Sequence, residues 1–137
     1  MGLVFENITL KNAGDVANLR RGHISEHEIR QIKIIAMVDT GSEALVINEA
    51  IRQDLGLDIV GEKPISLADG SVQTCQFTEP VEIFWKDRSA VAYAIILPGI
   101  DDVLLGAIPL EEMNVMVDPT KQQLVGIHGD KILYKVY

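Results

Sequence analysis

Ile34-Ile35-Ala36-Met37-Val38-Asp39-Thr40-Gly41-Ser42 runs from five consecutive apolar residues into a carboxylate, a hydroxyl and a glycine. A continuous apolar run of this length predicts a strand buried on both faces. Asp39 then stands at the rim of a core, where a charge is costly unless it is paired, hydrogen-bonded or used. Gly41 permits a tight turn and a close approach of other backbone. A strand followed by Asp-Thr-Gly is a way to present one carboxylate at the mouth of a site.

The bulk properties narrow the setting. A chain of 137 residues with 47% hydrophobic content suits one domain with a real core and excludes disorder. A net charge of -8 argues against a nucleic-acid partner, which needs a basic face. No apolar segment approaches the roughly 20 residues of a membrane-spanning helix. The first residues lack the basic and apolar regions of a signal peptide. The single Cys75 cannot form an internal disulfide, so a reducing, cytoplasmic location is the expectation.

Around the Asp39 segment the chain predicts mostly strands. Leu3 to Leu10 alternates loosely as a first strand, and Lys11 to Arg21 is polar, a loop or a short helical turn. His23-Ile24-Ser25-Glu26-His27 has the form H-x-x-E-H. That pattern binds zinc only on a long helix with a distant third ligand. Strand-like alternation resumes at once from Glu28 to Ile34, so this segment is a solvated turn, and no metal ligand set or cofactor is expected. Asn48 and Glu49 suit a helix start, Ile47, Ile51 and Leu55 form a four-residue stripe, and Gly56 suits its end, which predicts a helix over about 48 to 55. Two arms flank Asp69-Gly70, a hairpin signal. Its small and polar residues give it little to bury, and taken alone it reads as an ordinary surface hairpin. Val81 to Trp85 and Ala90 to Leu97 form a further hairpin. Val103 to Leu105 is a short apolar strand ending at Gly106, and Pro109 to Met113 supplies about one helical turn. Val115 to Val117, Gln123 to Val125 and Lys131 to Tyr137 complete the set of strands. Many short strands, glycine-rich turns and one or two short helices suggest a small closed barrel.

The order Asp39-Thr40-Gly41-Ser42, then the Asp69-Gly70 hairpin about 30 residues on, then Val103-Leu104-Leu105-Gly106 about 30 beyond that, resembles the retropepsin-like single-domain aspartic proteases, bacterial relatives of the retroviral enzymes. The resemblance spans residues 29 to 126 of a single domain over 1 to 137, with an N-terminal extension and an extra C-terminal strand outside it. It implies an acid-protease barrel completed as a homodimer, acting as an endopeptidase on peptide or protein substrates. It implies that Asp39 is catalytic, that Thr40 locks the loop to the partner's loop, and that Gly41 and Ser42 support that loop. Glu43 would bind substrate backbone. Leu67, Ala68, Asp69, Gly70 and Ser71 would form the flap tip, and Leu104, Leu105 and Gly106 would cross behind the catalytic loop. The flap tip departs from the glycine-rich tips of many viral members by carrying a charge. Two carboxylates about 3 Å apart share one proton and can act as base and acid together. With only one Asp-Thr-Gly in the chain, the second must come from another copy.

Other readings of the same residues stay open at this point. A retropepsin-like fold can serve as a catalytically silent dimerisation or peptide-binding module. Asp39 can be a buried turn acid of a plain β-barrel. A phosphate-binding D-x-G-S hairpin of actin-like ATPases needs two such motifs and a much longer chain.

Overall fold

Each strand of the barrel places alternate residues inside. The computed structural model describes residues 3–129 and 131–133. In chain order the elements are strand β1 (Val4–Asn12), helix α1 (Ala13–Arg20), a short 3-10 turn (Glu26–Glu28), β2 (Gln31–Val38), β3 (Leu45–Ile47), α2 (Glu49–Leu55), β4 (Ile59–Ser66), β5 (Val72–Trp85), β6 (Arg88–Ile96), β7 (Val103–Leu105), α3 (Ala107–Glu112), β8 (Val115–Asp118) and β9 (Gln123–Gly126). The main sheet runs β1-β2-β7-β3-β6-β5-β4, and β1 pairs with β5 as well. Six strands therefore close into a ring, and β4 hangs on its outside as the partner of β5 alone. Strands β8 and β9 form a separate two-stranded sheet.

The ring closes through β1. This strand pairs antiparallel with β2 from Val4 opposite Val38 to Lys11 opposite Gln31, and with β5 from Thr9 opposite Phe84 to Asn12 opposite Val81. The extension before residue 29 thus supplies the strand that removes the barrel's open edge. Its inward residues Val4, Ile8 and Leu10 join Ala36, Val38, Val81, Ile83, Leu45, Ile47, Val103 and Leu105 in one apolar core. Helix α2 covers that core with Ile51 and Leu55, capped as its sequence predicts. The Asn48 side chain accepts from the Ile51 N–H at 3.0 Å, and Gly56 ends the helix in the left-handed conformation at φ 63°.

Three expectations are corrected. Strand β2 is not buried on both faces: it alternates, with Ala36 and Val38 inside and Ile35 58% exposed. A barrel wall has only one inner face, and among the described residues the outer face of β2 is left largely open at Gln31, Lys33 and Ile35. There are three α-helices among the described residues, not one or two. The extra one, α1, has no apolar stripe to betray it and depends on polar bonds instead. Finally, the two strands predicted on either side of residue 78 are one long strand, β5, bent by a register shift between Phe77 and Pro80. The H-x-x-E-H segment is an exposed turn around the 3-10 helix, without the long helix that metal binding there requires. Of the strand expected at the end of the chain, Lys131 bridges to His128, and residues 134–137 lie outside the described residues. No helix among the described residues is long and apolar enough to cross a membrane.

Helix α1 is held by a buried polar hub. Asn12 accepts from the Asp15 N–H at 3.1 Å and donates to the Leu55 carbonyl at 2.9 Å, so one side chain caps the start of α1 and binds the end of α2. Asp15 accepts from the Arg30 backbone N–H at 3.0 Å and from its guanidinium at 2.9 Å through both oxygens. The bond from the Arg30 guanidinium is the main reason that the Asp15 carboxyl lies below its ordinary pKa, against the opposing effect of burial.

Replacing Asp15 tests this hub. Asp15→Asn is expected to cost about 1–2 kcal/mol at pH 7, toward the low end for bonds to charged groups because Arg30 is half exposed to solvent. A carboxyl with a lowered folded pKa stabilises fully above its unfolded value near 3.9 and loses that effect as pH falls through the folded value. The stability gap between wild type and variant, measured by urea unfolding, should therefore be full at neutral pH and shrink in strong acid. A gap independent of pH would separate the hub from the Asp15 charge.

Candidate active site

The Asp39 loop owes its shape to a strand inserted between its two flanks. Strands β2 and β3 do not pair with each other. β7 lies between them, parallel to β2 with Val38 opposite Leu105, and antiparallel to β3 with Leu45 opposite Leu105. The loop from Asp39 to Ala44 must cross the end of β7, a gap of two strand spacings, about 9.6 Å. It is fastened there by backbone bonds. The Asp39 N–H donates to the Leu105 carbonyl at 3.0 Å, and the Ser42 N–H donates back to the Asp39 carbonyl at 3.1 Å.

The chain then turns from β7 into α3 directly against this loop. The Ala107 N–H donates to the Ser42 carbonyl at 2.7 Å, and the Ile108 N–H to the Glu43 carbonyl at 3.1 Å. The first N–H groups of a helix have no partner inside it, so the loop carbonyls satisfy them. Gly106 is what allows this approach. A methyl group there would lie 2.4 Å from the Ala44 oxygen and 2.7 Å from the Ser42 oxygen, both backbone atoms. Gly106 has an ordinary negative φ of -89°, so space alone, not backbone conformation, requires glycine.

Asp39 is half-buried, and Thr40 beside it is exposed. One oxygen of the Asp39 carboxylate accepts from the Gly41 N–H at 3.0 Å, and among the described residues the other oxygen receives no hydrogen bond. Ser42 joins the loop through its backbone groups. The site thus contains one carboxylate, oriented by a backbone donor, with one oxygen open. Among the described residues no group of three His, Cys, Asp or Glu could hold a metal ion.

The hairpin of β4 and β5 continues past the barrel, with Ser66 opposite Val72. Leu67 to Ser71 form its tip. The Gly70 N–H donates to the Leu67 carbonyl at 2.9 Å, the Leu67 N–H to the Ser71 carbonyl at 2.8 Å, and Gly70 takes φ 84°. The Asp69 carboxylate accepts from the Ser71 hydroxyl at 2.6 Å and from its N–H at 2.9 Å. The hydroxyl is the larger cause of the lowered Asp69 pKa, so this exposed tip stays charged further into acid than an ordinary carboxyl. Among the described residues the hydrogen bonds of the tip all stay within the hairpin.

The base of the hairpin is anchored. Ile65, Cys75 and Phe77 pack with Val46, Ile95 and Leu104 in a second apolar cluster. Those last three side chains come from β3, β6 and β7, whose neighbouring residues Leu45, Ile47, Ala94, Ile96, Val103 and Leu105 face the main core. Leu104 stands opposite Met37, two residues before Asp39, so the cluster borders the Asp39 loop. Sequence reasoning missed this cluster, although a signal existed. Leu45-Val46-Ile47, Ala94-Ile95-Ile96 and Val103-Leu104-Leu105 are each apolar without alternation, as strands covered on both faces must be. Cys75 is a small packed residue, 3% exposed. Asp101 and Asp102 are exposed on the connection into β7.

No family model matches the sequence, and no curated protein matches it. Among solved structures the chain is similar to a retropepsin-like aspartic protease from Rickettsia conorii, with 17% identity over 85% of each chain and a TM-score of 0.46.

Proposed function

We propose that this chain is an aspartic endopeptidase whose catalytic group is Asp39, used in a homodimer with the Asp39 of a second copy. The observation that carries the reading is the Asp39 loop itself. A carboxylate with one oxygen bound by the Gly41 N–H and the other open sits on a turn fastened from behind by β7 and α3. One carboxylate is half of a peptide-hydrolysing pair. Two such groups about 3 Å apart cannot both ionise, so one holds a proton. The ionised member takes a proton from water as its oxygen attacks the peptide carbonyl. The protonated member donates to the carbonyl oxygen, and collapse of the tetrahedral species with proton transfer to nitrogen releases acid and amine. The pair titrates as one unit.

In this reading the exposed Thr40 hydroxyl bonds across the two-fold axis to the partner's loop, and Glu43 and the Leu67–Ser71 tip contact an extended peptide bound in the cleft. A free, buried Cys75 fits a reducing, cytoplasmic setting.

Three variants examine the reading. Asp39→Asn should lower kcat on a mixed peptide pool by at least about 10²-fold, the scale of a lost general acid–base group. An analogue with a hydroxyl at the scissile position should inhibit wild type. If wild type and variant are equally inert, the carboxylate has no catalytic part and the binding-module reading takes its place. Thr40→Val should weaken dimerisation about thirtyfold in analytical ultracentrifugation, for two symmetry-related lost bonds of about 1 kcal/mol each, with little change in protomer unfolding. Unchanged dimer affinity would remove the cross-loop role. Gly106→Ala should cost about 2–3 kcal/mol and lower kcat more than KM, since its methyl group must displace Ser42 and Ala44. Near-wild-type stability and rate would show that the loop tolerates being moved.

A further inference from the structure

The geometry points to a second interaction surface, a groove on the outer wall of the barrel that fits an acidic, extended peptide segment of a partner protein. The groove, about 400 Å³ in volume, lies across β1, β2 and β5 and includes Thr9, Lys33, Ile35, Phe84 and Lys86. Its register is explicit. Thr9 stands opposite Lys33 on one side and opposite Phe84 on the other. Lys11, next on the same face, holds its ammonium 4.7 Å from the centre of the Phe84 ring. Lys33 and Lys86 line the same groove, Lys86 with its ammonium 4.6 Å from the centre of the Trp85 ring, so three lysines border this face of a protein of net charge -8. Among the described residues none of them forms an ion pair. Glu82, opposite Lys11, is the one carboxylate on the facing positions of these paired residues.

The chemistry of an occupant follows from this pattern. From Thr9 to Lys11, β1 is paired on both sides, so at these positions strand addition to its backbone is excluded and recognition uses side chains. Lys11 stands opposite Gln31, which makes Lys33 its diagonal neighbour at about 7–8 Å. Carboxylates on alternate residues of an extended peptide are about 6.8 Å apart, close to that spacing. Phe84 and the 58%-exposed Ile35 offer apolar contact to a side chain between them. Lys33 is six residues before Asp39 on β2, about 20 Å along the strand, so an occupant leaves the Asp39 loop free. The proposal does not depend on whether Asp39 is catalytic.

The probe is a fluorescein-labelled peptide of alternating glutamate and serine with one central phenylalanine, followed by anisotropy at low salt. Wild type should bind saturably. The triple variant Lys11→Gln, Lys33→Gln, Lys86→Gln should bind about tenfold or more weakly, the combined scale of three exposed charge pairs, and raising the salt should weaken wild type likewise. Replacing Arg20, Arg21 and Lys121 by Gln removes the same charge elsewhere and should leave affinity within about twofold. Should the triple variant misfold by circular dichroism, Lys33→Gln alone should weaken binding about threefold. The proposal fails if wild type shows no saturable binding, or if the control variant loses as much as the groove variant. It also fails if a single-stranded oligonucleotide of equal charge outcompetes the peptide at these lysines.

Discussion

The close backbone contact between Gly106 and the Ser42–Ala44 segment is the constraint on which the site depends. β7 has three residues, yet it separates β2 from β3, receives the Asp39 N–H on its last carbonyl, and delivers Gly106 into the back of the loop. A side chain at 106 would push the loop away from the N-terminus of α3 and leave two helix donors without partners. The carboxylate is therefore positioned by main chain, which has few alternative conformations, rather than by a shell of mobile side chains. Such rigidity suits a group that must hold a fixed orientation.

Around this fixed loop the structure grades from anchored to free. The barrel wall is closed by β1, and its ends are covered by α2 and α3. Two polar anchors supplement the core. One is the Asn12–Asp15–Arg30 hub. The other is Arg88, 4% exposed, whose guanidinium donates to the Asn114 and Gly129 carbonyls at 2.6 and 2.7 Å and ties the end of α3 and the turn after β9 to the barrel. A buried guanidinium is tolerable only because carbonyls occupy its donors. The β4–β5 hairpin lies at the other extreme. Its base is packed through Ile65, Cys75 and Phe77, while its tip is exposed and bonded only to itself.

Much of this was legible in the sequence because it was encoded locally. Asn48, the Ile47–Ile51–Leu55 stripe and Gly56 specify α2 with both caps. Asp69-Gly70 specifies the hairpin tip, and Asp118 the β8–β9 turn, where it accepts from the Thr120 N–H at 3.0 Å. Over Lys11 to Arg21 the sequence leaves a loop and a short helical turn both open, because the stability of α1 comes from Arg30 and Leu55, residues far along the chain. β2 was misread for a related reason. A run of apolar residues shows that a strand is apolar on both sides, and says nothing of whether both sides are covered. Ile35 is apolar and exposed, on the same face as the lysine groove.

The sequence by itself determined the local chemistry: a strand ending in Asp39, a turn directly after it, a charged hairpin tip, and a single Asp-Thr-Gly. Those features rest on residue identity and spacing within a few positions, which side-chain sterics and hydrogen bonding translate directly into backbone shape. Only the tertiary structure decided that β7 separates β2 from β3, that β1 closes the ring, and that Gly106 is required by space rather than by φ. These are contacts between segments about 60 to 75 residues apart. Their energy comes from excluding water and fitting backbone to backbone, and no local pattern records which distant segment will supply the fit.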